Sequence, residues 1–212
     1  LSYDGTRVAI GAYGNDGGGN VSGHVRIYEW SDSAWTQLGS DIDGEAAGDT
    51  SGYSVVSLSD DGTRVAIGAH GNNDNGEGAG HVRIYAWSGS AWTQLGADID
   101  GDAAYDNVGM SMSLSSDGDR VAVGVPGADN GTGTNAGLVR IYDWSGSAWT
   151  QVGADIDGEA ADDYFGYSVA ISSDGTRVAI GGRDNDGGGT DSGHARVYDW
   201  SGSAWVQAGA DI

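Results

Sequence analysis

Apolar residues in this chain recur at every second position in short runs and never at helical spacing. In RVAIGA (7–12), Val8, Ile10 and Ala12 alternate with Ala9 and Gly11; in HVRIYEW (24–30), Val25 and Ile27 share one face, and Arg26, Tyr28 and Trp30 the other. A period of two marks extended strands, because successive side chains in a pleated strand point to opposite faces. GYSVVSLS (52–59) is rich in β-branched and aromatic residues and runs into Asp61-Gly62, a two-residue hairpin signal. The turn Ser31–Ala34 leads into WTQLGSDI (35–42), and an Asn/Asp/Gly-rich loop (13–22) separates the first two runs. The pattern predicts strands near 7–12, 24–30, 35–41 and 52–59, and no helix.

The same pattern then repeats. DGTRVAIG stands at 4–11, 61–68 and 174–181, with DGDRVAVG at 117–124, so Asp4, Asp61, Asp117 and Asp174 are spaced by 56–57 residues. HVRIY begins at His24 and His81, with LVRIY at Leu138 and HARVY at His194; WSGSAW begins at Trp87, Trp144 and Trp200, with WSDSAW at Trp30. The repeats divide as 1–57, 58–113, 114–170 and 171–212. Four antiparallel strands per period, with small residues opposite larger ones, describe sheets covered on both faces by their neighbours. The fold expected is therefore an all-β propeller of four-stranded blades. The 52–59 strand has counterparts only at 109–115 and 166–172, so the blade containing Arg7–Ile42 is expected to lack its inner strand. The chain reads as a window on a longer array, with copies of itself or further repeats as partners.

Composition narrows the function. The formal charge is -22, all nine cations are Arg, and Cys is absent. Such a surface is repelled by phosphate backbones and anionic membranes, which argues against nucleic acid as a partner. No apolar run is long enough to span a bilayer, so no membrane insertion is expected. Without Cys there is no disulfide framework, thiolate metal site or cysteine nucleophile. Few aliphatic residues and high charge would ordinarily indicate disorder, but eight Trp and ten Tyr recur at fixed phase, and stacking of blades is expected to supply the core.

FGYSVAISSDGTRVAIGGRDN (165–185), VGVPGADN (123–130) and GLVRIYDW (137–144) resemble the FG-GAP repeat of integrin α-subunit propellers and of many secreted microbial proteins. Phe165-Gly166 supplies the "FG", and Gly124-Val125-Pro126 lies nearest to "GAP". The resemblance implies a propeller, an extracellular or cell-surface location, and adhesion or ligand binding on one face. It also implies calcium in the hairpin between the first and second strands, although that hairpin is here only Ser59–Arg64.

Calcium is the one cofactor the residues themselves suggest. Alternating acids followed by Gly recur at Asp41, Asp43, Glu45 and Asp49; at Asp98, Asp100, Asp102 and Asp106; and at Asp155, Asp157, Glu159 and Asp163. Such turns either wrap a cation that takes about six to eight oxygen ligands or are solvated acidic connections between blades. The Trp pairs Trp30/Trp35, Trp87/Trp92, Trp144/Trp149 and Trp200/Trp205 either stack on sugar rings or pin strand register as cross-strand partners. Eight of the nine Arg fall at two repeated positions, where a planar donor can bridge blades to Asp. His24, His81 and His194 have no second His nearby, which argues against zinc. Asn20 and Asn130 open glycosylation sequons. A catalytic triad needs one unique constellation, and repetition makes every candidate fourfold. The expected function is a non-enzymatic extracellular repeat protein, structural or adhesive; the alternative is a glycan-binding propeller whose partners are extracellular glycans or surface proteins.

Overall fold

The computed structural model describes residues 1–212 and contains no helix. Its strands form four antiparallel sheets arranged as propeller blades. The first blade comprises β1 (Arg7–Gly11), β2 (His24–Ser31), β3 (Ala34–Gln37) and β4 (Ile42–Asp43). The second comprises β5 (Val56–Leu58), β6 (Arg64–Ala69), β7 (His81–Trp87), β8 (Trp92–Gln94) and β9 (Ile99–Asp100). The third repeats this with β10 (Ser111–Leu114), β11 (Arg120–Val125), β12 (Leu138–Trp144), β13 (Trp149–Gln151) and β14 (Ile156–Asp157). The fourth has β15 (Phe165–Ile171), β16 (Arg177–Gly182), β17 (His194–Trp200) and β18 (Trp205–Gln207). The first strand of each later blade falls at the end of the preceding sequence repeat. In the first blade no strand precedes β1, which is the edge of its sheet.

Two strands differ from their expected extents. The 35–41 run is interrupted: after β3, Leu38 still donates to Ile27, but Gly39 turns the chain with φ +79° before β4 resumes pairing with β2. A Cβ on Gly39 would lie 2.9 Å from the Trp87 ring and 3.1 Å from Trp92 of the next blade, so the break makes room for a neighbour's aromatic pair. The 52–59 run pairs as a strand only over Val56–Leu58, although Gly52, at φ +76°, still donates its amide to Gly68 O at 2.9 Å. Of its counterparts, β15 reaches full length, by way of a bulge between Phe165 and Ser168.

The core lies between blades. Val25, Ile27 and Ile42 of the first pack against Val65, Ile67 and Tyr85 of the second. Val82 and Ile84 meet Met112, Leu114 and Val123 of the third, and Val139 and Ile141 meet Phe165, Val178 and Ile180 of the fourth. Around the inner ends, Tyr3 donates its amide to Asp60 O, Asp60 to Ser116 O, and Ser116 to Ser173 O, at 2.8–3.0 Å. The series stops at the fourth blade, so the four blades form an open arc. The position of Ile10 shows it: Ile10 is 51% exposed, while Ile67, Val123 and Ile180 at the same position are at most 2% exposed.

Candidate functional site

Three polar linkages recur at every blade interface. First, a β1-type Arg reaches into the next blade: Arg7 donates to Gly62 O at 3.1 Å, Arg64 to Gly118 O at 3.0 Å, and Arg120 to Gly175 O at 2.8 Å. Second, an indole N–H reaches back: Trp92 to Leu38 O, Trp149 to Leu95 O, and Trp205 to Val152 O, at 2.8–2.9 Å. Third, the acidic turn of one blade meets the β2-type Arg of the next. Arg83 contacts Glu45 at 3.1 Å and Asp43 O at 3.0 Å, Arg140 contacts Asp102 at 2.7 Å, and Arg196 pairs with Glu159.

The acidic turns are therefore divided among several partners. Asp41 takes a two-pronged contact from Arg26 at 2.9 and 2.7 Å and another from Gln37, which together hold its carboxyl down to about 2. Asp155 accepts hydrogen bonds from Arg140 and Gln151 at the equivalent position. Asp49, Asp106 and Asp163 are buried caps of the turn: Asp49 accepts from Glu45 N and Ala46 N, Asp106 from Asp102 N and Ala103 N, and Asp163 from Ala160 N and Asn185 Nδ2. Burial raises the Asp106 carboxyl. Asp43, Asp98, Asp100 and Asp157 have no guanidinium bonded to their side chains. Burial first, and then a neighbouring aspartate, raise Asp100 and Asp157.

The histidines were not read from sequence as part of this chemistry, yet each stands beside these aspartates. His24 groups with Asp41 and Asp43, His81 with Asp98 and Asp100, and His194 with Glu159 and Asp211; His81 also groups with Glu45 and Asp74. Donor atoms within each group lie within 4.8 Å of one another, close enough to hold a metal ion. The signal lay in the constant spacing from each His to the Asp following the outer strand (His24 and Asp41, His81 and Asp98, His194 and Asp211). It joins only through the pairing of β2 with β4 and of β7 with β9, in which His24 stands opposite Asp43 and His81 opposite Asp100.

The Trp pairs are direct cross-strand neighbours with ring centroids 5.3–5.4 Å apart. Trp30 and Trp35 are the exposed pair, at 46% and 44%; the other three pairs lie against a glycine of the preceding blade (Gly39, Gly96 or Gly153). Asn20 is exposed, whereas the Asn130 amide donates to Gly137 O at 2.9 Å and accepts from Thr132. A groove bounded by Asp98, Asp100, Arg140 and Trp149 runs along the outer face of the second and third blades, with a counterpart bounded by Asp41, Asp43, Tyr85 and Trp92.

Residues 154–198 match the FG-GAP repeat, so the chain carries a repeat of that family. No curated protein matches the chain in sequence. Among solved structures, a Bacteroides uniformis protein described as a 6-phosphogluconolactonase superposes with a TM-score of 0.62 at 12% identity, over 100% of this chain and 53% of that one. TolB from Acinetobacter baumannii gives 0.55 at 13% identity over 98% and 41%. The β-propeller domain of the Trilobed protease from Pyrococcus furiosus, described as having an open velcro topology, gives 0.54 at 9% identity over 98% and 55%. The chain thus spans about half the length of these proteins, and at such identities the likeness is one of propeller fold.

Proposed function

We propose that this protein is a non-enzymatic extracellular repeat element, structural or adhesive, whose open end faces take the blades of another copy. The observation that carries this reading is the complementarity of the two uncovered faces. The leading face of the first blade offers Ile10, the exposed indole of Trp35 and Arg26, at the positions of Ile67, Trp92 and Arg83 inside the arc. The trailing face of the fourth offers Arg177, 60% exposed, at the position from which Arg7, Arg64 and Arg120 reach the next blade. Each face holds the half of a linkage that the other lacks, so copies stack head to tail, a heterologous contact that propagates instead of closing on itself. The charge of -22 opposes this at low salt and is screened at high salt. No helix is long and apolar enough to cross a membrane, and the extracellular assignment rests on the FG-GAP repeat.

Absence of catalysis fits the repetition: the acid, Arg and His positions recur from blade to blade instead of forming one unique constellation. A glycan-binding role is favoured by one observation, the exposed Trp30/Trp35 pair, and calcium would enter through the acidic turns. Sedimentation equilibrium across salt concentration tests the reading. Association that strengthens with salt and is lost in Arg177→Glu is the expected result; a monomer at all concentrations, or saturable glycan binding lost on Trp30→Ala, would replace it with the lectin reading. Melting unchanged in excess chelator at fixed ionic strength would remove calcium from the account.

A further inference from the structure

The second blade differs from its siblings in one respect that stacking does not explain. In the first, third and fourth blades the aspartate after the outer strand is bonded to the Arg of its own blade: Asp41 to Arg26, Asp155 to Arg140, and Asp211 to Arg196. Arg83 instead turns to Glu45 and Asp43 O of the preceding blade, leaving Asp98 with only the Gln94 amide. Asp100, directly across the ladder from His81, has no hydrogen-bonding partner in the chain. Facing these two carboxylates is His81, 0% exposed, with neither ring nitrogen hydrogen-bonded and Nδ1 3.6 Å from Asp98 Oδ2. A buried polar group without a partner is costly, and here both imidazole nitrogens are in that state beside two uncompensated negative charges.

We propose that His81, Asp98 and Asp100 form a binding site for a divalent first-row transition ion, of the zinc or cobalt class. The three donor atoms lie within 4.8 Å of one another. Nitrogen and oxygen ligands sit about 2.0–2.2 Å from such ions, so the donors need to draw in by at most roughly an ångström and a half. Neither imidazole nitrogen is engaged in a hydrogen bond, which leaves the ring free to coordinate. The imidazole selects against calcium, a hard cation that prefers oxygen alone. Asp98 is 21% exposed and Asp100 exposed along the outer groove, which gives the ion and its remaining water ligands a path. The sibling sites lack the combination. Asp41 is held by Arg26, Glu159 and Asp211 are held by Arg196, and the third repeat has Leu138 in place of histidine.

Calorimetric titration of the full chain with Zn²⁺, together with the visible absorption of added Co²⁺, tests the site. One tight equivalent is expected, with a cobalt spectrum showing nitrogen ligation. His81→Leu, which places in the second repeat the residue the third already folds with, and Asp100→Ala on the exposed side should each weaken binding by roughly tenfold or more. His24→Leu should leave the tight equivalent unchanged, and Ca²⁺ should not displace it. If His81→Leu fails to fold, Asp100→Ala decides alone. Absence of a saturable equivalent, affinity unmoved by Asp100→Ala, or displacement by calcium would each overturn the proposal.

Discussion

RVAIGA occurs at 7–12 and again at 64–69, letter for letter, yet the two segments live in opposite environments. Every residue of the second copy from Val65 to Ala69 is buried, while Ile10 in the first is half exposed and no strand pairs with the inner edge of β1. Local sequence makes both segments strands; only a neighbouring blade makes one of them core. Stability in this molecule therefore resides at interfaces between repeats, as in other quasi-one-dimensional arrays. The same difference explains the polar linkages, since Arg64, Trp92 and Arg83 each cross to another blade, while Trp35 and Arg177 point from faces without one.

The contrast should be sharpest in the core. Ile67→Ala empties a filled position between the first and second blades and is expected to cost about 2–5 kcal/mol by urea unfolding. Ile10→Ala at low protein concentration should cost less than about 0.5 kcal/mol. Equal losses at the two sites would break the comparison. Next in size is Gly68→Ala. A Cβ there would meet Gly109 O at 2.1 Å, backbone against backbone, and overpacking of this kind costs about 1–3 kcal/mol. The same change at Gly181 in the fourth blade meets the Ser168 hydroxyl, a side chain that can rotate away, and should cost less.

How much of this was legible in the sequence follows from the same distinction. Period-two alternation placed β1, β2, β6 and β7, because their alternating faces are filled in every complete blade. The interruption after Gln37 was not legible. The same left-handed turn forms at Gly209, φ +86°, with no blade beside it, so the break belongs to the repeat itself, and the Trp87 and Trp92 rings fill the space it leaves beside Gly39. The acidic turns were visible as candidate ligands, but their Arg partners sit partly in the same blade, as Arg26 does for Asp41, and partly in the following one, as Arg83 does for Glu45, so repetition alone did not say which carboxylates remain without a counter-ion. His81 was set aside because no second histidine lies near it; what surrounds it is assembled by strand pairing with β9.

Smaller effects refine the picture. Trp149→Phe removes one N–H donor to Leu95 O while keeping most of the ring, and should cost about 1 kcal/mol. Trp35→Phe, whose indole reaches no preceding blade, should be close to neutral in dilute solution. The smallest effect is on acid stability. The Ser172 hydroxyl and then the Thr176 amide hold the Asp174 carboxyl down to about 2, and Asp4, Asp61 and Asp117 are lowered by equivalent contacts. A depressed carboxylate stabilises the fold above its unfolded value, and that contribution is lost as pH falls from about 4 through the folded value. Asp106 has the opposite sign: raised by burial, it takes up its proton first in the folded state, and its protonation favours the fold. Unfolding followed from about pH 5 to pH 2 should therefore show a shallower loss in Asp174→Asn than in the parent chain, and a steeper one would reverse the sign.

Hydrogen exchange of β1 against β6 as protein concentration and salt are raised tests most directly whether the end faces are unfilled interfaces. In dilute, low-salt solution the β1 amides should exchange faster than those of β6, and they should become protected as copies stack, while β6 stays constant. Protection of β1 equal to that of β6 in the most dilute sample, or β1 exchange that is indifferent to concentration and salt, would contradict the account.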